Sequence, residues 1–451
     1  MELNKNKMIF LAIGAMIFLS LVFLLVTVNK NAANEETNKD PSNTFKIWVV
    51  WDDSSQSYQF IDWFKQIYPG YKEKNIVIES FPSYEDYTYT LMSAINSGVW
   101  PDLFVLNNNE WKSIFSEQII WIDPNLINPN DFRKKYKWVF WDDLIITSWI
   151  EGDTKEFLSW IPVWYETLGV YYNRRYVRDS DLKTLSSLNN VVSKLSDKYS
   201  DLIPIWIGNW TTVYNASDII TQFFMLEKWV KSVNDLSWNV LKQWLSSYLL
   251  YWDIDWYNKF NNRYAELRNL WEDSLYLFSR WETFMVVGYP SLLWKIKENG
   301  FTSTLLQATP FPHYYSGEWK TLINYNYFVI NKDTNNLALA QDYMNYLSSD
   351  NWASSYLTYY PYYLPALLSL ESDKLDSKVD PDYNITLNDF FNEDYELSSF
   401  DKGIKNLYDK DIVPLLDNSN TFENTFENFR VSILCKTNKI INFTNLSKVC
   451  D

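Results

Sequence analysis

From position 45 the apolar residues alternate between two spacings. Phe45-Lys-Ile-Trp-Val-Val50 is an apolar run of strand length that ends in Trp51-Asp52-Asp53. Phe60, Phe64 and Ile67 then recur at helical spacing, and Pro69-Gly70 stops the helix they imply. Asn75-Ile-Val-Ile-Glu79 returns to the strand pattern. Tyr84, Tyr87, Leu91 and Ile95 again share one helical face, Gly98 is a natural stop, and Pro101 prevents continuation. Leu103-Phe-Val-Leu106 is the short unbroken run of a strand buried on both faces. Strand, helix, strand, helix, strand is a βαβ series and predicts a parallel sheet. Asn107, Asn108 and Asn109 follow at the carboxyl end of the third strand, where open α/β sheets bind ligands. They read as a polar tip reaching into solvent, either a ligand contact or a plain solvated loop.

Further along, residues 159–173 hold two short strand-like pieces around Tyr165-Glu166. Helical patterns run from Leu182 to Tyr199, from Ala216 to Val230 and through about 238–278. Ser279 to Pro290 reads as a turn into a buried strand, Leu322 to Ile330 as one strand, and Leu337 to Leu347 as an amphipathic helix. From about Ser369 the chain turns polar, and Asn420 to Asn428 carries a small duplication rather than an architectural repeat. A chain of 451 residues exceeds one ordinary core, so two lobes or domains are expected.

Met8 to Val28 changes the picture, because this nearly unbroken apolar run is long enough to cross a bilayer. It exceeds the usual apolar stretch of a cleaved signal, and Ala32-Ala33 is a poor cleavage site. The reading is a single-pass N-terminal anchor at the cell membrane, with residues 29–44 as a tether and the large domain extracellular or periplasmic. No cysteine near the run is available for a lipid.

The 56 acidic residues against 40 basic give a formal charge of -16, which argues against nucleic acid or an anionic membrane surface as partner. His313 is the only histidine, and Phe311-Pro-His-Tyr-Tyr315 reads as a surface segment between strands, a poor place for a catalytic triad. Cys435 and Cys450 are too few for a metal site without histidine partners; they pair outside the cell or stand as two buried thiols. No phosphate-binding loop, nucleophile elbow or dinucleotide fingerprint occurs, so neither an enzyme nor a cofactor is expected.

Read in order, Lys46 to Asp52, Ser97-Gly-Val-Trp-Pro-Asp-Leu-Phe104, Ile161-Pro-Val-Trp-Tyr-Glu-Thr-Leu-Gly-Val-Tyr-Tyr-Asn173, Ser279 to Met285, Thr309-Pro-Phe-Pro312 and Ala338 to Leu347 carry a resemblance. Each motif is weak alone, but the ordered set resembles the extracellular solute-binding proteins of bacterial ABC importers, in particular the maltose-binding-protein-like branch. The resemblance implies a two-lobed α/β fold of the periplasmic-binding-protein kind (type II) with hinge crossings near Ile161–Tyr171 and Leu322–Phe328. Lobe 1 then comprises 45–165 plus 326–368, and lobe 2 comprises 166–325 plus 369–451. It further implies a monomer that captures a small solute, a sugar or oligosaccharide, by hinge closure and delivers it to ABC permease subunits.

By position, the resemblance assigns ligand contacts to Trp48, Asp52, Asn107, Asn109 and Glu166, with Tyr165, Tyr214, Tyr289 and Tyr325 along the cleft. With 33 tyrosines in the chain, any one of them serves equally well as core or surface. A membrane-tethered sensor or adhesin, or an importer component for a peptide, polyamine or other organic solute, remains an alternative on the same fold.

The departures from the family pattern share one direction. Trp51, Trp100, Trp164, Trp210 and Trp281 stand where the family has glycine, and the chain has 10 glycines against 23 tryptophans. Together the two residue types make up about 7% of the chain, the ordinary share of glycine alone. Many of these tryptophans therefore read as UGA codons that the source decodes as glycine; Trp48, where the family itself has tryptophan, reads as genuine.

Overall fold

The computed structural model describes residues 44–50, 54–109, 118–150, 153–199, 202, 204–205, 215–225, 230–232, 235, 274–301, 304–313 and 320–402. The apolar run 8–28, the tether, the duplication at 420–428 and both cysteines lie outside them, as do most of the 238–278 stretch, Asp52 and Tyr214. Among the described residues no helix is long and apolar enough to cross a membrane.

The chain divides into two compact units, the first ending at Ser80. That unit holds strand β1 (Thr44–Val50), helix α1 (Ser54–Ile67) and strand β2 (Asn75–Phe81), with β1 and β2 as sheet neighbours. Phe45, Ile47, Phe60, Phe64, Ile76 and Ile78 are buried within it, on the faces their spacing predicts.

The second unit opens with α2 (Tyr84–Ser97) and β3 (Leu103–Asn107). The Ser83 side chain accepts from the Asp86 amide at the start of α2, and Gly98 ends it at φ 70°, the left-handed conformation that glycine adopts without a Cβ clash. The Tyr87 hydroxyl donates to the Val105 carbonyl at 2.6 Å and fastens α2 to β3. Then follow β4 (Ile119–Ile120), α3 (Pro129–Lys135), α4 (Trp138–Leu144), the hairpin strands β5 (Ile145–Ile150) and β6 (Asp153–Leu158), β7 (Ile161–Pro162), β8 (Trp164–Thr167) and β9 (Gly169–Asn173). After these come α5 (Leu185–Lys198), α6 (Ala216–Phe224), α7 (Ser274–Ser279), β10 (Met285–Gly288), α8 (Leu292–Glu298), β11 (Leu306–Pro310), β12 (Lys320–Asn324) and β13 (Asn326–Asn331). The described chain ends with α9 (Leu337–Leu347), α10 (Asp350–Tyr359), β14 (Leu364–Pro365), α11 (Glu371–Leu375) and β15 (Glu396–Ser398).

Beside the β5–β6 hairpin, three sheets organise the described residues of this unit. In the first, β13 pairs antiparallel with β3, β4 and β7. In the second, β9 pairs antiparallel with β10 and β11. The βαβ pattern predicts a parallel sheet, and β3 has in addition an antiparallel neighbour, β13, a strand more than two hundred positions later that enters from the other direction. The stretch from Leu322 to Ile330 is two strands rather than one, broken at Tyr325. Strand β12 lies in the third sheet, of order β14-β8-β12-β15, pairing with β8 and, in parallel, with β15, whereas β13 belongs to the first. The chain thus passes between sheets twice, from β7 through β8 to β9 and from β12 through Tyr325 to β13. The second sheet carries a continuous core of Leu168, Val170, Leu188, Ile219, Phe223, Val287, Leu322 and Phe400.

His313 is a buried residue, not a surface one. It forms a bridge with Thr184, its carbonyl accepts from Leu185, and burial lowers its pKa. Among the five tryptophans at family glycine positions, Trp51 and Trp210 lie outside the described residues. Trp281 sits at φ 64°, whereas Trp100 and Trp164 avoid positive φ, and the Trp164 ring stacks on Tyr363 at 3.8 Å.

Candidate functional site

The strand tip after β3 is buried, which corrects the expectation of asparagines in solvent. Asn107 is 2% exposed and Asn109 fully enclosed. The reason is the residue pattern at the second crossing, Asn324-Tyr325-Asn326, which lies against them. The Asn107 amide donates to Asn324 Oδ1 at 2.6 Å and Asn326 Oδ1 at 3.0 Å, and its own oxygen accepts from the Asn109 amide. Asn108 Nδ2 donates to the Ile323 carbonyl and its Oδ1 accepts from the Tyr325 amide at 2.8 Å. The Asn108 side chain stands in for the ladder bonds lost where β12 ends and β13 begins.

Asn109 is different. Among the described residues neither its Oδ1 nor its Nδ2 has a hydrogen-bond partner, although the side chain is closed off from solvent. A buried amide left unpaired costs about 1–3 kcal/mol. Its carbonyl accepts from the Lys402 amide at 3.0 Å. Lys402, itself 0% exposed, extends its ammonium to Asp218 in the first turn of α6 and to Ser217 Oγ at 3.3 Å.

Glu166 on β8 stands opposite Asn324 of β12. Its Oε1 accepts from the Ser291 amide at 2.9 Å, and the Asn324 side chain bonds to it as well. Burial pushes its carboxyl up to about 7; the charge of Asp218 adds to the rise, while the bonds from Ser291 and Asn324 oppose it. The residues form two linked chains. Asn107 bonds to Asn324 and Asn324 to Glu166, which lies within the field of Asp218; Asp218 pairs with Lys402, whose amide holds Asn109, and Asn109 returns to Asn107. Glu166 and the strand-tip asparagines therefore meet.

The predicted tyrosines divide differently. Successive residues of a strand face opposite ways, so Tyr165 turns from Glu166 towards Phe140, ring centroids 6.0 Å apart, and Lys137. The Tyr325 hydroxyl donates to Asp143 Oδ2 at 2.8 Å. Tyr289 is buried in the second core, and its carbonyl accepts from the Tyr171 hydroxyl at 3.0 Å. Trp48 is a buried residue of β1 in the first unit. Sequence reasoning missed Ser291, Asn324, Asp218 and Lys402. Asp218 had one usable signal, a carboxylate in the first turn of a helix, while nothing in a polar stretch beyond residue 369 marks Lys402.

A family profile of bacterial extracellular solute-binding proteins matches residues 59–383. A search of curated proteins finds no match. Among solved structures, the chain is similar to the sugar-binding protein MalE of Xanthomonas citri, at 13% identity and TM-score 0.63 over 89% of this chain and 100% of that one. It is also similar to an ABC substrate-binding protein of Listeria monocytogenes in complex with cycloalternan, at 13% identity and TM-score 0.61 over 89% and 99%. A third is an ABC transporter solute-binding protein of Thermotoga lettingae bound with α-D-tagatose, at 15% identity and TM-score 0.58 over 88% and 100%. These likenesses establish the two-lobed α/β architecture. The match over most of its length places the chain in the bacterial extracellular solute-binding family.

Proposed function

We propose that the protein captures a neutral polyhydroxylated solute, a sugar or oligosaccharide, and hands it to the permease of an ABC importer. The observation that carries this reading is the enclosed side-chain amide of Asn109, without a hydrogen-bond partner among the described residues, two positions from Asn107, which Asn324 links to Glu166. Amides and carboxylates both take paired hydroxyls, and no covalent chemistry is required. The three similar solved structures add support, since two were determined with a saccharide and the third is described as sugar-binding.

In this reading lobe 1 is built from 45–165 plus 326–368 and lobe 2 from 166–325 plus 369–451, with the crossings at β8 and Tyr325 acting as the hinge. The solute stabilises the closed form through contacts from both lobes. Trp48, Asp52 and Tyr214 complete the contacts, and the apolar run 8–28 anchors a monomer whose large domain lies outside the cell. Titration calorimetry of the purified protein against neutral mono- and oligosaccharides tests the proposal. Saturable heat with one of them is expected, reduced at least tenfold in affinity by Asn109→Ala. Silence across the panel would sink it.

A further inference from the structure

One short segment, Glu396 to Lys402, pairs with β12 of the third sheet and reaches both the core of the second and the strand tip of the first. Residues Glu396–Ser398 run parallel to Lys320–Leu322 of β12. The Ser399 hydroxyl donates to Asp143 Oδ1 of α4 at 2.9 Å, and the Tyr325 hydroxyl donates to Oδ2 of the same carboxylate. Phe400 is sealed in the core of the second sheet. The Asp401 amide donates to the Lys231 carbonyl at 2.9 Å. Lys402 then does two things at once, its amide holding the carbonyl of Asn109 beyond β3 and its ammonium reaching Asp218 and Ser217 of α6.

Taking two charges fully out of water is costly, and a hydrophobic pair of similar volume is often as stable or more so. Stability alone is therefore a weak reason for an ion pair at this point. Its position supplies another: the pair ties the strand tip of the first sheet to the helix packed on the second, one residue from the unpaired Asn109 amide.

We infer that Lys402 is a positioning residue for the solute site, the end of a strap that fixes the Asn109 side of that site against the Asp218 side. This rests on the binding reading above and deepens it. The strap sets how far the two sides separate when no solute is present, and it presents the Asn109 amide in one orientation.

The test uses the full-length protein with Cys435 and Cys450 changed to serine and spin labels at the exposed positions 135 and 194, on α3 and α5. Distances between the labels are measured without solute in the parent, in Asp218→Asn, and in the double variant Lys402→Met with Asp218→Asn, which leaves neither charge buried alone. Expected are a broadened or lengthened distance distribution in both variants, with cooperative unfolding retained in at least one. For the sugar that the parent binds, at least a tenfold loss of affinity is expected in the same variants. Parental distances in a folded variant overturn the inference, as does an affinity loss with unchanged distances. Should the parent bind no sugar, the transport reading fails while the distance measurement still decides the strap.

Discussion

At the scale of single residues, Trp281 carries the clearest conflict between side chain and backbone. It follows α7 at φ 64°, its amide bonding to the Phe278 carbonyl and the Glu282 amide to Leu277, which is the glycine-terminated end of a helix. A residue with a Cβ at such a φ loses roughly 1–2 kcal/mol. Both Trp281→Gly and Trp281→Ala remove the indole from Phe301, so comparing the two isolates the backbone term. The glycine variant is expected to be more stable by about 1 kcal/mol in denaturant titration. Equal stabilities would show that the turn tolerates a Cβ. The corresponding gene-level outcome is a UGA codon at position 281, with glycine in that peptide of the protein from its own source; UGG there would end the reassignment reading.

Glu166 gives a prediction in pH. Its folded pKa of about 7 lies above the ordinary carboxylate value of 4.5, so the native protein binds this proton more tightly than the unfolded chain. Stability then falls as pH rises from about 4.5 to about 7, by on the order of 3 kcal/mol, and levels above that window. Glu166→Gln is expected to flatten this slope in thermal unfolding across those pH values. An unchanged slope would place the titration elsewhere.

At the scale of elements, the break between β12 and β13 is held by one side chain. Asn108→Ala removes its bonds to the Ile323 carbonyl and Tyr325 amide and leaves two buried main-chain groups unpaired. A loss of about 2–3 kcal/mol is expected in urea unfolding, whereas Asn125→Ala, in an exposed turn, is expected to cost well under 1 kcal/mol. Similar losses for both would remove the bridging role from Asn108.

The elements themselves were legible wherever the cause was local. Gly98, Pro101, the apolar face of α2 and the run Leu103–Leu106 place their boundaries within a residue or two. The burial of the asparagines was not legible, because their partners Ile323 to Asn326 lie more than two hundred positions away. For the same reason periodicity merged β12 and β13, whose apolar patterns run together across Tyr325. Glu166 was singled out through the family motif, while Lys402 had no pattern to reveal it.

At the scale of the molecule, solute binding and folding are linked. A ligand that binds only the folded form adds about 2.7 kcal/mol at one hundred times its Kd. The sugar that saturates the protein in calorimetry is therefore expected to raise its unfolding temperature in a concentration-dependent way, and to do so less in Asn109→Ala. A parental rise with that variant would move the contact away from the strand tip.

A single residue, Tyr325, separates two strands that serve different sheets. Side chains along a strand alternate in direction, so lengthening or shortening this connection by one residue would reverse every inward position of one strand relative to the other. The Asn324 and Asn326 amides would no longer both reach Asn107. Insertions should therefore be rejected between positions 323 and 326, which makes this stretch one of fixed length among the protein's descendants.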